Sequence, residues 1–333
     1  MPNVTVLERA TMITTDTEDL IHSFANDVDE GLKDTPKHLP CLYFYDYKGS
    51  LLFEDICQLP EYYLTRAETE ILETYSEEII SYFPSDTLLV ELGSGSSIKT
   101  QLIIEELLSQ HNKALYSPID ISQKMLRESS MLLLEKYPNL EIISVAAEYH
   151  EGLRQLDMHN ERPKLIIWLG SSIGNFKPED AIAFIKKVVK ILSPNDFFLI
   201  GFDLQKEKIR LLKAYNDAQD VTAEFNLNLL SRINRELGGE FDPDKFMHQA
   251  VYNEKKNRIE MHLISTCEQE IYIADLNSSY HFNKNERIHT ENSYKFSLSD
   301  IDNLADQVGI KVFRQWFDSK KDFNLTLFKP NRS

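Results

Sequence analysis

The segment VELGSGSSIKT at residues 90–100 joins a short apolar strand to an acidic side chain, two glycines and several small hydroxyl residues. A helical pattern follows at residues 101–108. A turn rich in glycine and serine between a buried strand and a helix lets a ligand approach backbone N–H groups at the helix N-terminus. The segment therefore predicts a pocket for a nucleotide-like small molecule.

The spacing inside this turn separates two classes of cofactor. A dinucleotide site reads G-x-G-x-x-G, whereas residues 93–98 read GSGSSI and lack the third glycine. Glu91 stands directly before the turn, where a carboxylate would repel a pyrophosphate. S-adenosylmethionine has a sulfonium and an amino-acid end and carries no phosphate. We therefore predict that Glu91, Gly93 and Gly95 bind S-adenosylmethionine.

Acidic side chains also end the next two strands of the pattern. Asp120 closes the strand in YSPIDIS, and Glu148 and Tyr149 follow the strand that ends in AAEYH. Folds of this kind place an acid at the end of the second strand, where it accepts hydrogen bonds from the ribose hydroxyls. We predict that Asp120 binds the ribose and that Glu148 and Tyr149 lie beside the adenine. Each residue taken singly is also compatible with a helix N-cap or an exposed loop.

The elements that must position these residues alternate along the chain. Between residues 87 and 204, short apolar runs such as TLLVELG, KLIIWLG and DFFLIGFDL are separated by helical patterns of about 10 to 15 residues, which is typical of βαβ units and a parallel sheet covered on both faces. Residues 18–82 are mainly helical in pattern, and Glu68, Glu70 and Glu73 are interpreted as a solvated helix face.

The pattern changes after Asp203. IRLLKAYNDAQDVTAEFNLNLLSRINREL predicts one long polar helix, and RIEMHLIST is predicted to pair with QEIYIADL as an antiparallel hairpin. The last segment, VGIKVFRQWFDSKKDFNLTLFKP, predicts two strands around a charged turn. Such a pair would close an α/β sheet with an antiparallel edge.

Composition excludes several classes of function. The chain of 333 residues has 53 acidic and 36 basic side chains and a net charge of −17, which argues against nucleic acid or an anionic membrane as a partner. Cys41, Cys57 and Cys267 are odd in number and have no histidine at ligand spacing, so neither a disulfide framework nor a metal site is predicted. The N-terminus lacks the pattern of a signal peptide, and no apolar run approaches the ~18 residues of a spanning helix. We expect a cytoplasmic protein that acts on a small molecule.

Six segments together resemble the histidine-specific Nα-methyltransferases of ergothioneine biosynthesis. They are LPEYYLTRAE, ELGSGSSIKT, PIDIS, WLGSSIGNF, AYNDAQDVTAEFN and HTENSYKF, and the resemblance extends from about Leu39 to Phe328. It implies trimethylation of the α-amino group of L-histidine to hercynine, with S-adenosylmethionine as methyl donor. It also implies a monomer.

The same resemblance implies an α/β fold with two domains. The first is a Rossmann-like class I methyltransferase sheet, mostly parallel with an antiparallel C-terminal edge, and the second is an α+β substrate-binding domain. Residues 69–205 would form the methyltransferase core and residues 296–333 its C-terminal strands. Residues 1–68 would supply the N-terminal helical part of the substrate domain, and residues 206–295, inserted late in the chain, would supply the rest of it.

Site residues follow from the resemblance, position by position. Those that hold the carboxylate and amine of the substrate are Tyr62, Asn175 and Tyr215. Those near the amine are Tyr45 and Gly170, and those that line the cavity are Phe53, Thr222 and Met261. The pair that recognises the imidazole is Glu291 and Ser293. The matching cofactor positions are Gly93, Lys99 and Asp120, and Glu148 stands where the family often has aspartate.

The chemistry of these residue types agrees with the resemblance. A neutral imidazole offers one N–H donor and one bare nitrogen, and Glu291 and Ser293, two residues apart on an extended segment, point to the same side and can bond both. The amine must lose a proton before methyl transfer, and Tyr45 or Asn175 with water is predicted to accept it. Tyr45, Phe53 and Tyr62 are predicted to attract the methylated ammonium through their ring faces.

Two other functions remain compatible with this architecture. A related N-methyltransferase could act on a tryptophan derivative, which would require a larger and less polar pocket in place of Glu291 and Ser293. A non-catalytic S-adenosylmethionine-binding protein could also keep the fold. A dehydrogenase is a more remote third alternative, because the glycine turn of this chain lacks the third glycine of a dinucleotide site.

Overall fold

The structure is a computed structural model that describes residues 3–7, 9–14, 17–157 and 162–331. The chain divides into two units. The first unit comprises Met1–Thr15, Leu64–Gln205 and Lys295–Ser333, and the second comprises Asp16–Tyr63 and Lys206–Tyr294.

Strands and helices are numbered along the whole chain. The strands are β1 Asn3–Leu7, β2 Ala10–Thr14, β3 Leu88–Leu92, β4 Ala114–Asp120, β5 Leu140–Ala146, β6 Lys164–Trp168, β7 Phe197–Asp203, β8 Phe246–Asn253, β9 Arg258–Ser265, β10 Gln269–Ile273, β11 Ser278–Phe282, β12 Arg287–Tyr294, β13 Ile310–Phe317 and β14 Phe323–Pro330. The α-helices are α1 Thr17–Lys33, α2 Tyr47–Gln58, α3 Tyr63–Ile80, α4 Thr100–His111, α5 Gln123–Lys136, α6 Tyr149–Asp157, α7 Pro178–Ile191, α8 Lys208–Ala214, α9 Val221–Leu237 and α10 Leu298–Val308.

The first unit is built on one large sheet in the order β1-β2-β5-β4-β3-β6-β7-β14-β13. The six strands from β2 to β7 in this order are parallel, whereas β14 is antiparallel to both β7 and β13. Every residue of β3, β4, β6 and β7 is buried, which is the pattern of parallel strands covered on both faces. The predicted Rossmann-like sheet with an antiparallel C-terminal edge is confirmed.

The strand order reverses its direction at β3, which lies between β4 and β6. In open α/β sheets the crevice for ligands lies outside the carboxyl ends of the strands at such a switch point. The segments that leave this edge are the glycine turn after β3, Asp120 at the end of β4 and the loop after β6. The sheet therefore gathers the predicted cofactor residues at one edge.

The N-terminal strands were not predicted. β2 pairs in parallel with β5 and β1 pairs antiparallel with β2, so both strands extend the large sheet. The predicted assignment of residues 1–68 to the substrate domain therefore does not hold for β1 and β2, and the first unit also includes the chain from Leu64. The physical reason is that the outer edge of β5 offers unpaired backbone groups, and a short alternating segment can pair with them.

The second unit has its own smaller sheets. β12, β9 and β8 form an antiparallel sheet in that order, and β10 pairs with β11. The predicted hairpin between β9 and β10 is wrong, because β9 is the central strand and both of its edges are already occupied by β8 and β12.

The predicted long helix of the second unit is also divided. Helix α8 ends at Ala214 and α9 begins at Val221. Between them, the Asp217 carboxylate accepts hydrogen bonds from the backbone N–H groups of Gln219, Val221 and Thr222. Because these bonds satisfy donors at the start of α9, the break is stabilised as a helix cap.

No helix within the described ranges is long and apolar enough to cross a membrane.

Candidate active site

The glycine turn of the first unit adopts a backbone that favours glycine. Gly93 and Gly95 have φ values of 72° and 49°. The N–H of Gly93 donates to the carbonyl of Ile119 at the end of β4, at 2.8 Å. The Oγ of Ser94 is buried and has no hydrogen-bond partner among the described residues. A buried hydroxyl in this position fits a ligand with polar groups, as S-adenosylmethionine has.

Asp120 ties the end of β4 to this turn. One carboxylate oxygen accepts the N–H of Gly95 and the other accepts the N–H of Ser122, each at 2.8 Å. Burial raises the pKa of Asp120, and these backbone hydrogen bonds oppose that change. A carboxylate has lone pairs left after two such bonds, so the predicted ribose contact stays a prediction that the geometry allows.

Tyr149 also lies against the turn, at the start of α6. A Cβ built on Gly93 would stand 2.6 Å from the Tyr149 hydroxyl oxygen. The Tyr149 ring packs on Trp168 and Phe184, with centroids 5.8 Å apart in both cases. Glu148, the residue before Tyr149, is exposed. The structure thus brings Tyr149 to the turn and leaves the adenine contact of Glu148 as a prediction.

Glu91 is placed beneath the turn, with 4% of its surface exposed. One carboxylate oxygen accepts the Thr100 hydroxyl at 2.6 Å, and the other accepts the Tyr116 hydroxyl in a short hydrogen bond. The two bonds join the end of β3 to the first residue of α4 and to β4. Glu91 is therefore seated to support the turn, which differs from the direct cofactor contact that the sequence predicts.

The burial of Glu91 gives a prediction for stability against pH. Loss of solvation raises its pKa from 4.5 to about 7, against the hydrogen bonds from Thr100 and Tyr116. Between these two values the folded protein binds more protons than the unfolded chain, so the free energy of unfolding falls as the pH rises through this window. The corresponding change in the free energy of unfolding is on the order of a few kcal/mol.

Replacing Glu91 by Gln should remove this pH dependence, because the amide keeps the shape and carries no charge. In urea unfolding from pH 4.5 to 8, the free energy of unfolding of the variant is expected to change less with pH. The variant should gain more stability over the parent protein at pH 8 than at pH 4.5. A variant whose profile runs parallel to that of the parent protein would show that Glu91 is not the titrating group.

A polar cluster in the first unit contains Lys99, Glu68 and Gly170. The Lys99 ammonium forms a short ion pair with the Glu68 carboxylate, and the N–H of Gly170 donates to both oxygens of Glu68, at 2.9 and 3.0 Å. Gly170 has a φ of 73° in the loop after β6. The structure therefore brings a predicted cofactor residue and a predicted substrate residue to one carboxylate that was not predicted.

The interpretation of Glu68 as part of a solvated face is wrong, since its side chain is 0% exposed. The spacing of α3 contained a signal for this. Leu64 and Leu72 are buried four residues to either side of Glu68, and residues four apart share a helix face. An acid on the buried stripe of a helix indicates a partner in the interior.

Asn175 ends a short 3₁₀ turn, Ser172–Asn175, that follows Gly170 in the first unit. Its side chain is half-buried. The structure places it on the same loop as Gly170, and its predicted contact with the substrate stays a prediction.

Aromatic side chains of the second unit form a group that contains four predicted residues. Phe53 of α2 packs edge-on against Tyr45 and Tyr62, with centroids 5.7 and 6.2 Å apart. Phe225 of α9, which was not predicted, lies 5.7 Å from Tyr45 and 6.0 Å from Phe53. Tyr62 in turn lies 6.2 Å from Tyr215. We call Tyr45, Phe53, Tyr62, Tyr215 and Phe225 the aromatic group.

The predicted imidazole pair lies on one face of β12. In the antiparallel pairing of β12 with β9, Glu291 lies opposite Met261 and Ser293 lies opposite Ile259. Glu291 and Ser293 are both buried. The hydroxyls of Ser293 and Tyr215 are 2.7 Å apart, and either can be the donor. Thr222, at the start of α9, is also buried in this unit. The structure thus joins Ser293 directly to a member of the aromatic group.

The Glu291 carboxylate contributes to the raised pKa of two neighbouring groups. Burial and the nearby Glu291 carboxylate raise the pKa of the Cys41 thiol to about 12. Burial and surrounding groups, Glu291 among them, raise the pKa of Tyr62 well above its usual value. Tyr62 therefore keeps its proton and is suited to donate a hydrogen bond to a substrate carboxylate.

A buried chain of hydrogen bonds ends at the backbone carbonyl of Tyr215. The Thr290 hydroxyl donates to the Asn226 amide oxygen at 2.8 Å, and the amide nitrogen of Asn226 lies 2.9 Å from Nδ1 of His248. Nε2 of His248 lies 2.9 Å from the carbonyl oxygen of Tyr215. Because burial lowers its pKa, His248 is neutral and can accept at Nδ1 while it donates at Nε2. The sequence contained no spacing that would have indicated this role.

Comparison with known proteins agrees with this geometry. A family model described as histidine-specific methyltransferase, SAM-dependent, matches residues 24–330. Histidine N-alpha-methyltransferase of Mycobacterium tuberculosis is 39% identical over 311 residues, which cover 93% of this chain and 96% of that protein. The protein of the same name from Mycolicibacterium smegmatis is 39% identical over 301 residues, covering 90% and 93% of the two chains.

A third relative is longer than this chain. Ergothioneine biosynthesis protein 1 of Neurospora crassa is 32% identical over 292 residues, which cover 85% of this chain and 32% of that protein. The family model and the two relatives that match over nearly their whole length decide the classification. This chain belongs to the family of histidine-specific, S-adenosylmethionine-dependent methyltransferases.

Proposed function

We propose that this chain transfers three methyl groups from S-adenosylmethionine to the α-amino group of L-histidine and forms hercynine. The observation that carries the proposal is the placement of Glu291 and Ser293 on one face of β12, with the Ser293 hydroxyl bonded to Tyr215. Membership of the family supports the methyl donor and the class of substrate.

The hydrogen-bond directions at this face suit a neutral imidazole. Glu291 can accept the ring N–H, and the bare ring nitrogen needs a donor, which Ser293 supplies when its own oxygen accepts from Tyr215. In this arrangement the Tyr215 proton points to Ser293, and the Tyr215 oxygen is left as an acceptor. We therefore assign Tyr215 to the amino group of the substrate and Tyr62, which keeps its proton, to the carboxylate.

The methyl donor supplies an electrophilic methyl group on a sulfonium. In the first unit, the backbone of the glycine turn, Lys99, Asp120 and Tyr149 would hold it, with Glu91 supporting the turn. The contacts of Asn175 and Gly170 with the amino acid stay predictions. Alignment of amine and methyl group is the main requirement for this kind of displacement.

Tyr45 is the first candidate for taking the proton from the substrate ammonium, through water. A Tyr45→Phe variant should lose about 10²-fold in kcat at neutral pH, the lower end of what proton transfer by a side chain contributes. The loss should disappear above the pKa of the substrate amino group, because the amine is then already neutral. Steady-state rates from pH 6.5 to 10 test this, with Tyr272→Phe, an exposed side chain on β10, as the control. Equal turnover of the variant and the parent protein at every pH would remove this role.

The aromatic group offers ring faces to the increasingly methylated ammonium. Quaternary ammonium ions are attracted to aromatic faces, by roughly 0.5–2 kcal/mol. Tyr45, Phe53 and Tyr62 were predicted for this task, and the position of Phe225 adds a fourth ring. We propose that these rings hold the mono- and dimethylated intermediates between transfers.

The test is a substrate panel. Formation of S-adenosylhomocysteine is measured with L-histidine, L-tryptophan and L-phenylalanine at equal concentrations. Only L-histidine should react, because an indole has a single ring nitrogen and a phenyl ring has none, so neither ring can form hydrogen bonds with both Glu291 and Ser293. Preferential turnover of L-tryptophan would favour the related N-methyltransferase, and a protein that binds S-adenosylhomocysteine without any turnover would be a non-catalytic binder.

We also propose that the enzyme acts as a monomer in the cytoplasm. The high net negative charge keeps copies apart, and each predicted site residue is supplied by this chain. Light scattering at micromolar concentration would show one chain per particle, and a dimer at that concentration would contradict the proposal.

A further inference from the structure

Glu68 is a buried carboxylate that the proposed reaction does not use. It lies on α3 of the first unit, and none of its side chain is exposed. Its partners are the Lys99 ammonium and the N–H of Gly170. These partners come from two segments that both leave the carboxyl edge of the large sheet, one after β3 and one after β6.

The sheet keeps space for this carboxylate. Gly201 of β7 lies beneath it, and a Cβ built on Gly201 would stand 2.5 Å from Oε1 of Glu68. A Cβ built on Gly170 would stand 3.7 Å from Nζ of Lys99, so the ammonium lies close to the loop as well. The carboxylate, the ammonium and the loop backbone thus form one packed cluster.

The charges in this cluster depend on one another. A buried carboxylate is costly unless it is paired and hydrogen-bonded, and here an ammonium and a backbone N–H satisfy it. Lys99 is 22% exposed while Glu68 is not exposed at all. The pair therefore holds the ammonium in place, and part of the Lys99 side chain is accessible.

We propose that Glu68 is a positioning residue for S-adenosylmethionine, which fixes the Lys99 ammonium and the Gly170 backbone where the methyl donor binds. The inference rests on the proposed function for the identity of the donor. Glu68 does not touch the cofactor itself, and it acts through Lys99 and Gly170. The ion pair orients Lys99, and the two hydrogen bonds hold Gly170 in its left-handed conformation.

The test measures affinity for S-adenosylhomocysteine by calorimetry, without an amino acid. Glu68→Gln keeps the shape of the side chain and one acceptor for Gly170 but loses the charge that orients Lys99. It should raise the Kd about tenfold, as the loss of one charged hydrogen bond does, with a small change in Tm. Glu73→Gln, on the exposed face of the same helix, is the control and should bind like the parent protein.

A double variant separates positioning from simple charge balance. Lys99→Met alone leaves Glu68 buried without its cation and should lower the Tm strongly. Glu68→Gln combined with Lys99→Met removes both charges, so the Tm should recover while the Kd stays at least as weak as in Lys99→Met. If Glu68→Gln does not fold, Glu68→Asp keeps the charge on a shorter chain and should give the same weakened binding.

A Kd within about twofold of the parent value in folded Glu68→Gln or Glu68→Asp would overturn the proposal, and Glu68 would then serve stability alone. A double variant that binds like the parent protein would overturn it as well. These outcomes are independent of the substrate. If the parent protein binds S-adenosylhomocysteine but leaves L-histidine unmethylated, the proposed function fails, and the effect of Glu68 on affinity is still measured.

Discussion

Replacing Glu291 by alanine should lower kcat/KM for L-histidine on the order of 10²-fold. A hydrogen bond to a charged group contributes up to about 3 kcal/mol, and each 1.4 kcal/mol is tenfold in rate. Glu291 is buried on β12 beside Ser293, so water cannot easily replace the lost carboxylate. The effect should be mainly on KM, because the imidazole is remote from the reacting nitrogen.

Two further variants sharpen this prediction. Glu291→Gln keeps an acceptor oxygen without the charge and should lose only about tenfold. Glu270→Gln, at an exposed position on β10 of the same unit, should behave like the parent protein. Steady-state kinetics with varied L-histidine and saturating S-adenosylmethionine give the values. If the alanine variant keeps the parental KM, β12 does not recognise the imidazole.

Replacing Asp120 by asparagine should weaken the binding of S-adenosylhomocysteine on the order of 10²-fold. The two oxygens of Asp120 accept the N–H groups of Gly95 and Ser122, and an amide presents an NH₂ donor in place of one of them. One backbone N–H then faces another donor, at a cost of about 1–3 kcal/mol. The predicted acceptor for the ribose hydroxyls is weakened by the same change.

The matched control is Asp86→Asn, in the exposed loop before β3. Calorimetric titration with S-adenosylhomocysteine measures both variants, and thermal unfolding shows that they are folded. If Asp120→Asn is folded and its affinity lies within about twofold of the parent value, Asp120 does not couple β4 to the cofactor turn.

The large sheet could be predicted because its signals are local. Runs such as LLVEL and FFLIGFD have the composition of strands buried on both faces, and the glycines of the turn after β3 need φ values that other residues avoid. The assignment of Glu291 and Ser293 to one face also needs only the two-residue period of a strand.

Other features depend on contacts between distant segments. Nothing in RIEMHLIST shows that its neighbours are β8 and β12, because strand pairing is decided by the competition among all available edges. The hydrogen bond between Tyr215 and Ser293 joins residues 78 positions apart, and the contact of Phe225 with Phe53 likewise depends on the packing of α9. Glu68 is the exception, since the period of α3 already placed it between Leu64 and Leu72.

The most direct test of the central claim is the product formed from L-histidine and S-adenosylmethionine with a deuterated methyl group. Tandem mass spectrometry of the product locates each label. The account predicts three labelled methyl groups, all on the α-nitrogen, and none on the imidazole. Label on a ring nitrogen, or an L-histidine that stays unmethylated while another amino acid is labelled, would contradict it.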